Sequence, residues 1–593
     1  MKVKIHCLLA AFWMVCFISC KKDRLDILPI DNFTADQVFS SEALLTAYMA
    51  SLYNALPMED LNTYGNSALS NNTDEAITCF QDQQNNIGDG TWTQYWGYNN
   101  IRNVNEFIAK LPAAKANKNL IKTLSGEAKF ISAFHYFAMV KRYGGVPIVT
   151  KVQQYDGNNI AELQTPRSTE KEIYDFIATD LDEAVTELPE TNIKGRVTKY
   201  AALALKSRAM LYAASSAKYG SVLLNGLLGI PATEAGPYWK ASFDAASAII
   251  NSGVHSLYQK NPNKEANFQQ LFLDKGKDNP EVIFAKYYLF PDKTHSYDTR
   301  YLPFAIRGPS GYSSRMCPTL DLVEQYEYID GSPGKLKIGT PSNPIFYARP
   351  TDLFLNKDPR LLASVIVPFA EFKGSIIDIQ AGIYDRGVKI SAGDYGAFYN
   401  TTTHKLDNVG GTLPVVGKNG FGGTEKTQTG FLVRKYLDPV LPQAQAYSGG
   451  SSQPWIEIRY AEVLLNYAEA AIELQDVPEA KAKINMIRSR AGIVLLQDAD
   501  INIDRVRKER LVELAFENHR WWDYRRWRIS DKLFNNTWPT ALKPYYDVDK
   551  QAYRFESTNA GRYARTFNVK VYYERINPAE LAKDPKLVQN PNY

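Results

Sequence analysis

The chain has 593 residues, 45% of them hydrophobic and 22% charged, with a formal net charge of +4. That length can bury a substantial core and more than one structural unit, while a charge so near balance counts against the basic profile of a nucleic-acid binder. Six scattered histidines, with no H-E-x-x-H or C-x-x-C spacing, count against the common zinc enzymes, and no metal or cofactor is expected.

The N-terminus carries Lys2 and Lys4, then an apolar run from Leu8 to Ile18, then Ser19 and Cys20. The run is too short to span a bilayer and has the length of a signal-peptide core. A small residue directly before Cys fits a bacterial lipoprotein cleavage site. We therefore expect residues 1–19 to be removed and Cys20 to be acylated. Several acyl chains anchor a protein firmly, since each buried methylene contributes about 0.8 kcal/mol. Loss of Lys2 and Lys4 lowers the formal charge from +4 to +2, and of five cysteines only Cys79 and Cys317 then stay unassigned. Two thiols allow one disulfide and no disulfide framework.

The first half reads as helical. Leu44, Leu45, Tyr48, Leu52 and Tyr53 form a stripe over Glu42–Leu56, with Ser40 or Ser41 as cap. Val104, Phe107, Ile108 and Leu111 continue the period over Ile101–Leu111. Helices follow over Gly126–Tyr143, stopped by Gly144, Gly145 and Pro147, over Thr169–Leu188, over the small-residue segment Ala201–Ala214, and over Pro231–Gly253. A later pair is predicted over Ile456–Leu474 and Val477–Ala491. Alanine spacing with Tyr and Leu knobs predicts helix hairpins stacked like tetratricopeptide units, with a degenerate repeat.

Two stretches break the helical pattern. Leu61–Tyr98 is rich in Asn, Gln, Gly and aromatics. Pro291–Pro454 is crowded with Gly, Pro, Ser, Thr and Tyr, and holds two short β-like runs, Ala363–Val367 and Phe431–Tyr436. Long loops on a rigid scaffold are where binding surfaces usually lie. The fold class predicted is mainly α: a superhelix with loop-rich insertions and a few short strands. The units expected are 20–290, and 291–593 divided into a loop-rich part (291–455), helices (456–528) and an irregular tail (529–593).

Catalytic patterns are weak. There is no G-x-S-x-G elbow, Gly331–Lys335 lacks the length and final Ser/Thr of a P-loop and reads as a turn, and Tyr155-Asp156-Gly157 reads as a turn. Arg507–Trp527 reads as one helix with dense charges, in which Arg510–Glu513 and Glu517–Arg520 are i,i+3 pairs. We read it as a structural ion-pair lattice beside bulky Trp residues and not as an acid/base site.

This last segment resembles the C-terminal signature helix of the SusD/RagB family of nutrient-binding lipoproteins. Other segments are similar to the family's motifs, in order: Arg24–Pro29, Gly126–Val149, Thr165–Pro189, Arg196–Ala213, Cys317–Ser332, Lys357–Leu361, Ile458–Ala470 and the terminus Asn577–Tyr593. Asn592 stands where the family usually has Gly, a departure that Asn tolerates through its left-handed propensity. The resemblance implies a helical superhelix as scaffold. It also implies a lipid-anchored, surface-exposed outer-membrane protein, no catalysis, and delivery of an oligosaccharide to a SusC-type TonB-dependent transporter. Capture of peptides, as in the RagB branch, is the runner-up, and a lipid-anchored hydrolase is the rival class.

Sugar binding needs flat aromatic faces for pyranose C–H groups, with amide, carboxylate and guanidinium groups for the hydroxyls. Two loop clusters supply both, and the resemblance implies contacts from them. Trp92 follows Gly88 and Gly90 and lies near Asp82 and Asn85. Tyr297, Arg300, Tyr301, Arg307, Tyr312 and Arg315 form the second cluster. Trp96, just before the Ile101 helix, reads as a packing residue.

Overall fold

The computed structural model describes residues 35–593 except 63–67, 81–85, 88–92, 277 and 394. The signal segment and Cys20 lie outside the described residues. Eleven helices carry the architecture: α1 (Glu42–Asn54), α2 (Tyr98–Lys110), α3 (Lys118–Tyr143), α4 (Glu170–Glu187), α5 (Lys199–Tyr219), α6 (Ala235–Ser252), α7 (Lys264–Leu273), α8 (Tyr460–Glu473), α9 (Val477–Ala491), α10 (Ile503–Glu513) and α11 (His519–Arg526). Their boundaries follow local chemistry. The Ser41 hydroxyl accepts the Leu44 amide at the start of α1, and Thr169 and Glu172 form a reciprocal capping box at the start of α4. The helix α3 begins eight residues before the predicted Gly126, because the Asn117 side chain caps it through the Leu120 amide at 2.8 Å. It ends at Gly144, whose φ of +73° and close approach to the Leu227 carbonyl both require glycine.

Sequential helices pack on one another: α2 on α3, α3 on α4, α4 on α5, α5 on α6, then α6 on α8 and α8 on α9. This is the predicted stack of helix hairpins. The small residues of α5 make it work. Ala201, Ala204, Ser207, Ala209, Ala213 and Ala217 are buried, so neighbouring backbones approach closely on both sides. Among the described residues no helix is long and apolar enough to cross a membrane.

Ten strands matter here: β1 (Ala76–Ile77), β2 (Val282–Lys286), β3 (Cys317–Pro318), β4 (Val365–Ile366), β5 (Gly382–Asp385), β6 (Val388–Ile390), β7 (Leu432–Val433), β8 (Trp455–Arg459), β9 (Thr540–Asp547) and β10 (Ala552–Asn559). The β-like runs of the loop-rich middle pair with each other as β4 and β7. Two predictions fail. Ile456–Arg459 does not open α8 but pairs with β2 as β8, because its alternate residues bury apolar side chains against two elements. The tail expected to be irregular carries β9 and β10, a hairpin of two eight-residue strands added to β5 and β6. Pro544 in the middle of β9 hid it, since proline demotes a strand reading. The helix α7 also escaped prediction.

The Arg507–Trp527 segment is not one helix. Phe516 and Asn518 both have φ of 64°, and the chain turns between α10 and α11. The expected i,i+3 pairs do not form. Glu513 pairs with Arg459 at 2.6 Å, Arg360 at 2.9 Å, and Arg490. Glu517 pairs with Arg459 and Lys435, both at 2.7 Å. Arg510 pairs with Asp523 at 3.2 Å, and Arg520 reaches Asp74 at 2.9 Å. Helix spacing favoured local pairs, but the backbone break turns these side chains toward partners far away in sequence. The structural reading of the segment holds: Glu513 and its three arginines are buried.

Burial pushes the Glu513 carboxyl up, but the charges of Arg490, Arg459 and Arg360 override it and hold the group well below the carboxylate range. Replacing Glu513 with Gln removes the carboxylate that three buried guanidinium groups share, leaving Arg360 with Asp358 and Glu509, Arg459 with Glu281 and Glu517, and Arg490 with Glu281 alone. The expected loss of stability at pH 7 is about 3–5 kcal/mol by denaturant unfolding. A depressed carboxyl contributes stability that is fully present above its unfolded pKa of about 4.3 and is lost as pH falls toward the folded value. The gap between wild type and Glu513→Gln therefore stays constant from pH 7 to about pH 5 and narrows only at lower pH.

Candidate functional site

The described residues bring part of the second loop cluster to a surface and bury the rest. Tyr297 and Tyr301 are each 4% exposed, and the Tyr297 hydroxyl donates to the Lys435 carbonyl at 3.0 Å. Their rings lie 4.5 Å apart within the core, tilted by 56°, and present no face to a ligand, which corrects the expectation for both. They sit on a short helical turn whose apolar side faces inward, a direction that composition does not reveal. Below them Asp298 is fully buried and accepts hydrogen bonds from Ser451, Gln453 and the Asp438 amide. Burial raises its pKa. Arg300 is half-buried, and its carbonyl accepts the Arg315 amide.

Tyr312 is exposed at 42%, and its ring lies over the Arg315 guanidinium at 4.3 Å. Arg315 is buried. It also lies over the Phe80 ring, at 5.1 Å, and pairs with Glu425 at 2.8 Å. Arg315 is thus a positioning group: it holds Tyr312 from behind and offers little of itself to solvent. Glu425 in turn accepts the Ser313 amide at 2.6 Å, and its own carbonyl accepts the Ser313 hydroxyl. Ser314 (φ 54°) and Glu425 (φ 63°) both adopt left-handed backbone, which is uncommon outside glycine and concentrates at functional sites.

Apart from Arg307, the sequence reading missed the other half of this surface. Tyr395 is 42% exposed, Lys426 lies over its ring at 4.5 Å, and Phe304 stands beside it at 6.1 Å with Arg307 over its face at 4.1 Å. The loop that supplies Glu425 to Arg315, behind Tyr312, supplies the next residue, Lys426, to Tyr395. The available signal was the Gly-rich run Lys418–Gly430 with a Glu-Lys pair at its centre. Asn419 fixes the start of that loop, accepting the Ala305 amide and donating to Asp378.

Trp92, Asp82 and Asn85 lie outside the described residues. The chain enters 81–85 directly from Phe80, under Arg315. Trp96 packs on Tyr98 and Tyr143 at 5.1 and 5.3 Å, as expected. Cys79 and Cys317 are buried free thiols beside the site, Cys317 on β3 and Cys79 two residues beyond the β1 strand that pairs with it. Burial pushes Cys79 up to about 11 and Cys317 higher, so both stay protonated at neutral pH.

A buried acid/base cluster lies elsewhere. Glu59, Lys141, Glu457 and His519 line a cavity of about 30 Å³. That holds a water or two and no sugar ring. Burial pushes His519 down to about 4 and Lys141 to about 8.

Comparison with known proteins places these features in a family. Residues 280–593 match the model described as the SusD family, and residues 23–211 match one described as starch-binding, associating with outer membrane. A SusD-like protein of Formosa agariphila is 23% identical over 511 residues, covering 83% of this chain and 81% of that one. A SusD-like protein of Bacteroides fragilis has a crystal structure 25% identical, with a TM-score of 0.70, covering 95% of this chain and all of that one. A SusD-like carbohydrate-binding protein of the same species is 22% identical at a TM-score of 0.68, and a laminarin-binding SusD-like protein 17% identical at 0.60; each match covers 93% of this chain and all of the other. With more than half its length matched by the family model and its fold shared from end to end, the chain belongs to the SusD family.

Proposed function

We propose that this protein is a non-catalytic lipoprotein of the cell surface that captures oligosaccharides and passes them to a SusC-type TonB-dependent transporter. One observation carries the binding step. Two exposed tyrosines, Tyr312 and Tyr395, are each backed by a cation, and one loop holds both cations' partners or the cation itself. Fixed aromatic faces accept pyranose C–H groups at little entropic cost, and the partly exposed Arg307 supplies donors for hydroxyls. In this reading Asp82, Asn85 and Trp92 belong to the platform, Asp82 and Asn85 because their segment follows Phe80 beneath Arg315. The carbohydrate-binding and laminarin-binding neighbours support a glycan as ligand. The non-catalytic reading is supported by the same neighbours, which are described as binding proteins. In the division of labour we propose, the 20–290 unit supplies most of the helical scaffold and the 291–593 unit supplies the rim.

Tyr312→Ala and Tyr395→Ala each weaken binding of the cognate oligosaccharide by roughly thirtyfold, the equivalent of about 2 kcal/mol for a hot-spot ring. Their melting temperatures stay at the wild-type value, because both rings are exposed. Calorimetry over a glycan panel that includes laminarin measures this. Wild-type affinity in both variants removes the site from this surface, and turnover of any glycan overturns the non-catalytic reading.

Delivery requires an anchor and a partner. Cys20→Ala abolishes acyl labelling and releases the protein from the outer-membrane fraction. Detergent extraction of native membranes recovers the wild-type protein with a large β-barrel transporter. Retention of the Cys20 variant contradicts the anchor, and repeated recovery of the wild-type protein alone contradicts the partner.

A further inference from the structure

A second cavity, of about 400 Å³, opens between the end of α5 and the turn at Val569–Tyr572 and shares no residue with the surface around Tyr312. Its size falls in the range of small-molecule sites. Tyr219, Tyr572 and Tyr573 line it, with Arg528 and Lys570 among them. Arg528 lies over the rings of Tyr572 and Tyr573 at 4.8 and 4.5 Å. Its hydrogen bond to the Tyr572 carbonyl is long, at 3.4 Å, and no carboxylate among the described residues pairs with it. Lys570 lies over the Tyr593 ring at 4.8 Å and likewise pairs with no carboxylate among the described residues. The one acid on the wall, Asp531, is engaged by the Tyr572 hydroxyl.

Arg528 differs in this from the arginines around Glu513 and Asp523, though the buried Arg167, Arg525 and Arg565 also meet carbonyls and not carboxylates. Arg360, Arg459, Arg490, Arg510 and Arg526 all meet carboxylates. It also holds a φ of 54°, where glycine sits without strain. A long cationic side chain kept at such a position points to a role for the side chain, since observed strain is a ground for a functional hypothesis. The far wall is a turn in which Leu224 and Asn225 both adopt positive φ and Val222, Leu223 and Leu224 are exposed.

We propose that this cavity is a second binding site and that it takes a uronate residue of an acidic oligosaccharide. The guanidinium fork of Arg528 matches a planar carboxylate, Lys570 adds a second charge, and the tyrosines and Leu223 receive the ring's C–H face. That the anion is carried on a saccharide rests on the glycan-binding reading above. The preference for an anion rests on Arg528 and Lys570 alone.

The test is calorimetry on the full-length protein with tetragalacturonate, a neutral cellotetraose and a sulfated oligosaccharide of similar length. Tetragalacturonate is expected to bind at least about tenfold more tightly than either. Arg528→Gly and Lys570→Gln each weaken it by about tenfold or more, while Tyr312→Ala leaves its binding at this site unchanged. Arg528→Gly keeps the wild-type melting temperature because its backbone suits glycine, so the loss cannot be assigned to unfolding. Absence of tetragalacturonate binding, equal affinity for the neutral or sulfated probe, or full binding in Arg528→Gly overturns the proposal. Uronate binding abolished by Tyr312→Ala also overturns it, by assigning the ligand to the first surface. Failure of the glycan-binding reading shows separately, as a cognate glycan indifferent to Tyr312→Ala and Tyr395→Ala.

Discussion

Everything in this protein hangs on a buried charge. Glu513 sits between Arg360, Arg459 and Arg490, and these draw in Asp358, Glu281, Glu509 and Glu517. The lattice ties the start of β2, the segment after Leu355, the end of β8, α9 and both sides of the α10–α11 turn to one point. Burying ions is costly, and an apolar core of equal volume often gives equal or greater stability. What the lattice supplies is definition. An arginine left without its acid is strongly penalised, so alternative packings of these helices are excluded.

The lattice reaches the candidate ligand surface through Lys435. Its ammonium group donates to Glu517 and to the Ala515 carbonyl, and burial pushes its pKa down to about 8. Its own carbonyl receives the Tyr297 hydroxyl. Lys435 therefore fixes the end of the loop whose earlier residues, Glu425 and Lys426, set Tyr312 and Tyr395. The buried tyrosines misread as ligand contacts are part of this mounting. They hold the segment from which Tyr312 and Arg315 project. Rigid mounting of a loop site lowers the entropy cost of binding.

The helical scaffold was legible because its period is long and its caps are strong: Thr169 with Glu172, Asn117 and Gly144 all act as local rules require. The family was legible for a different reason, since motifs agreeing in order along the chain carry more than any one motif. Two kinds of feature were not legible. Strands such as β8 and β9 depend on partners far away in sequence, and Pro544 gave a false local signal. The pairing of Glu513 was equally hidden. Spacing favoured Arg510, while the left-handed Phe516 and Asn518, neither a glycine, turned the helix and sent each charge elsewhere. The surface itself was half legible. Tyr312 and Arg315 read correctly as neighbours, but burial separates Tyr312 from Tyr297 and Tyr301, and periodicity cannot show which way a five-residue turn faces. Lys426 stood in a run whose glycines masked its purpose, and Tyr395 stood apart from it in sequence.

The central claim is that a rigid, ion-locked scaffold presents a glycan at one loop-built rim. Hydrogen–deuterium exchange with and without the cognate oligosaccharide tests it most directly. The account predicts that amides of α10, α11 and β8 exchange slowly in both states, while ligand adds protection at 304–315 and 395–430 and leaves the helical stack unchanged. Protection that appears across the stacked helices, or fast exchange in α10 and α11 without ligand, contradicts it.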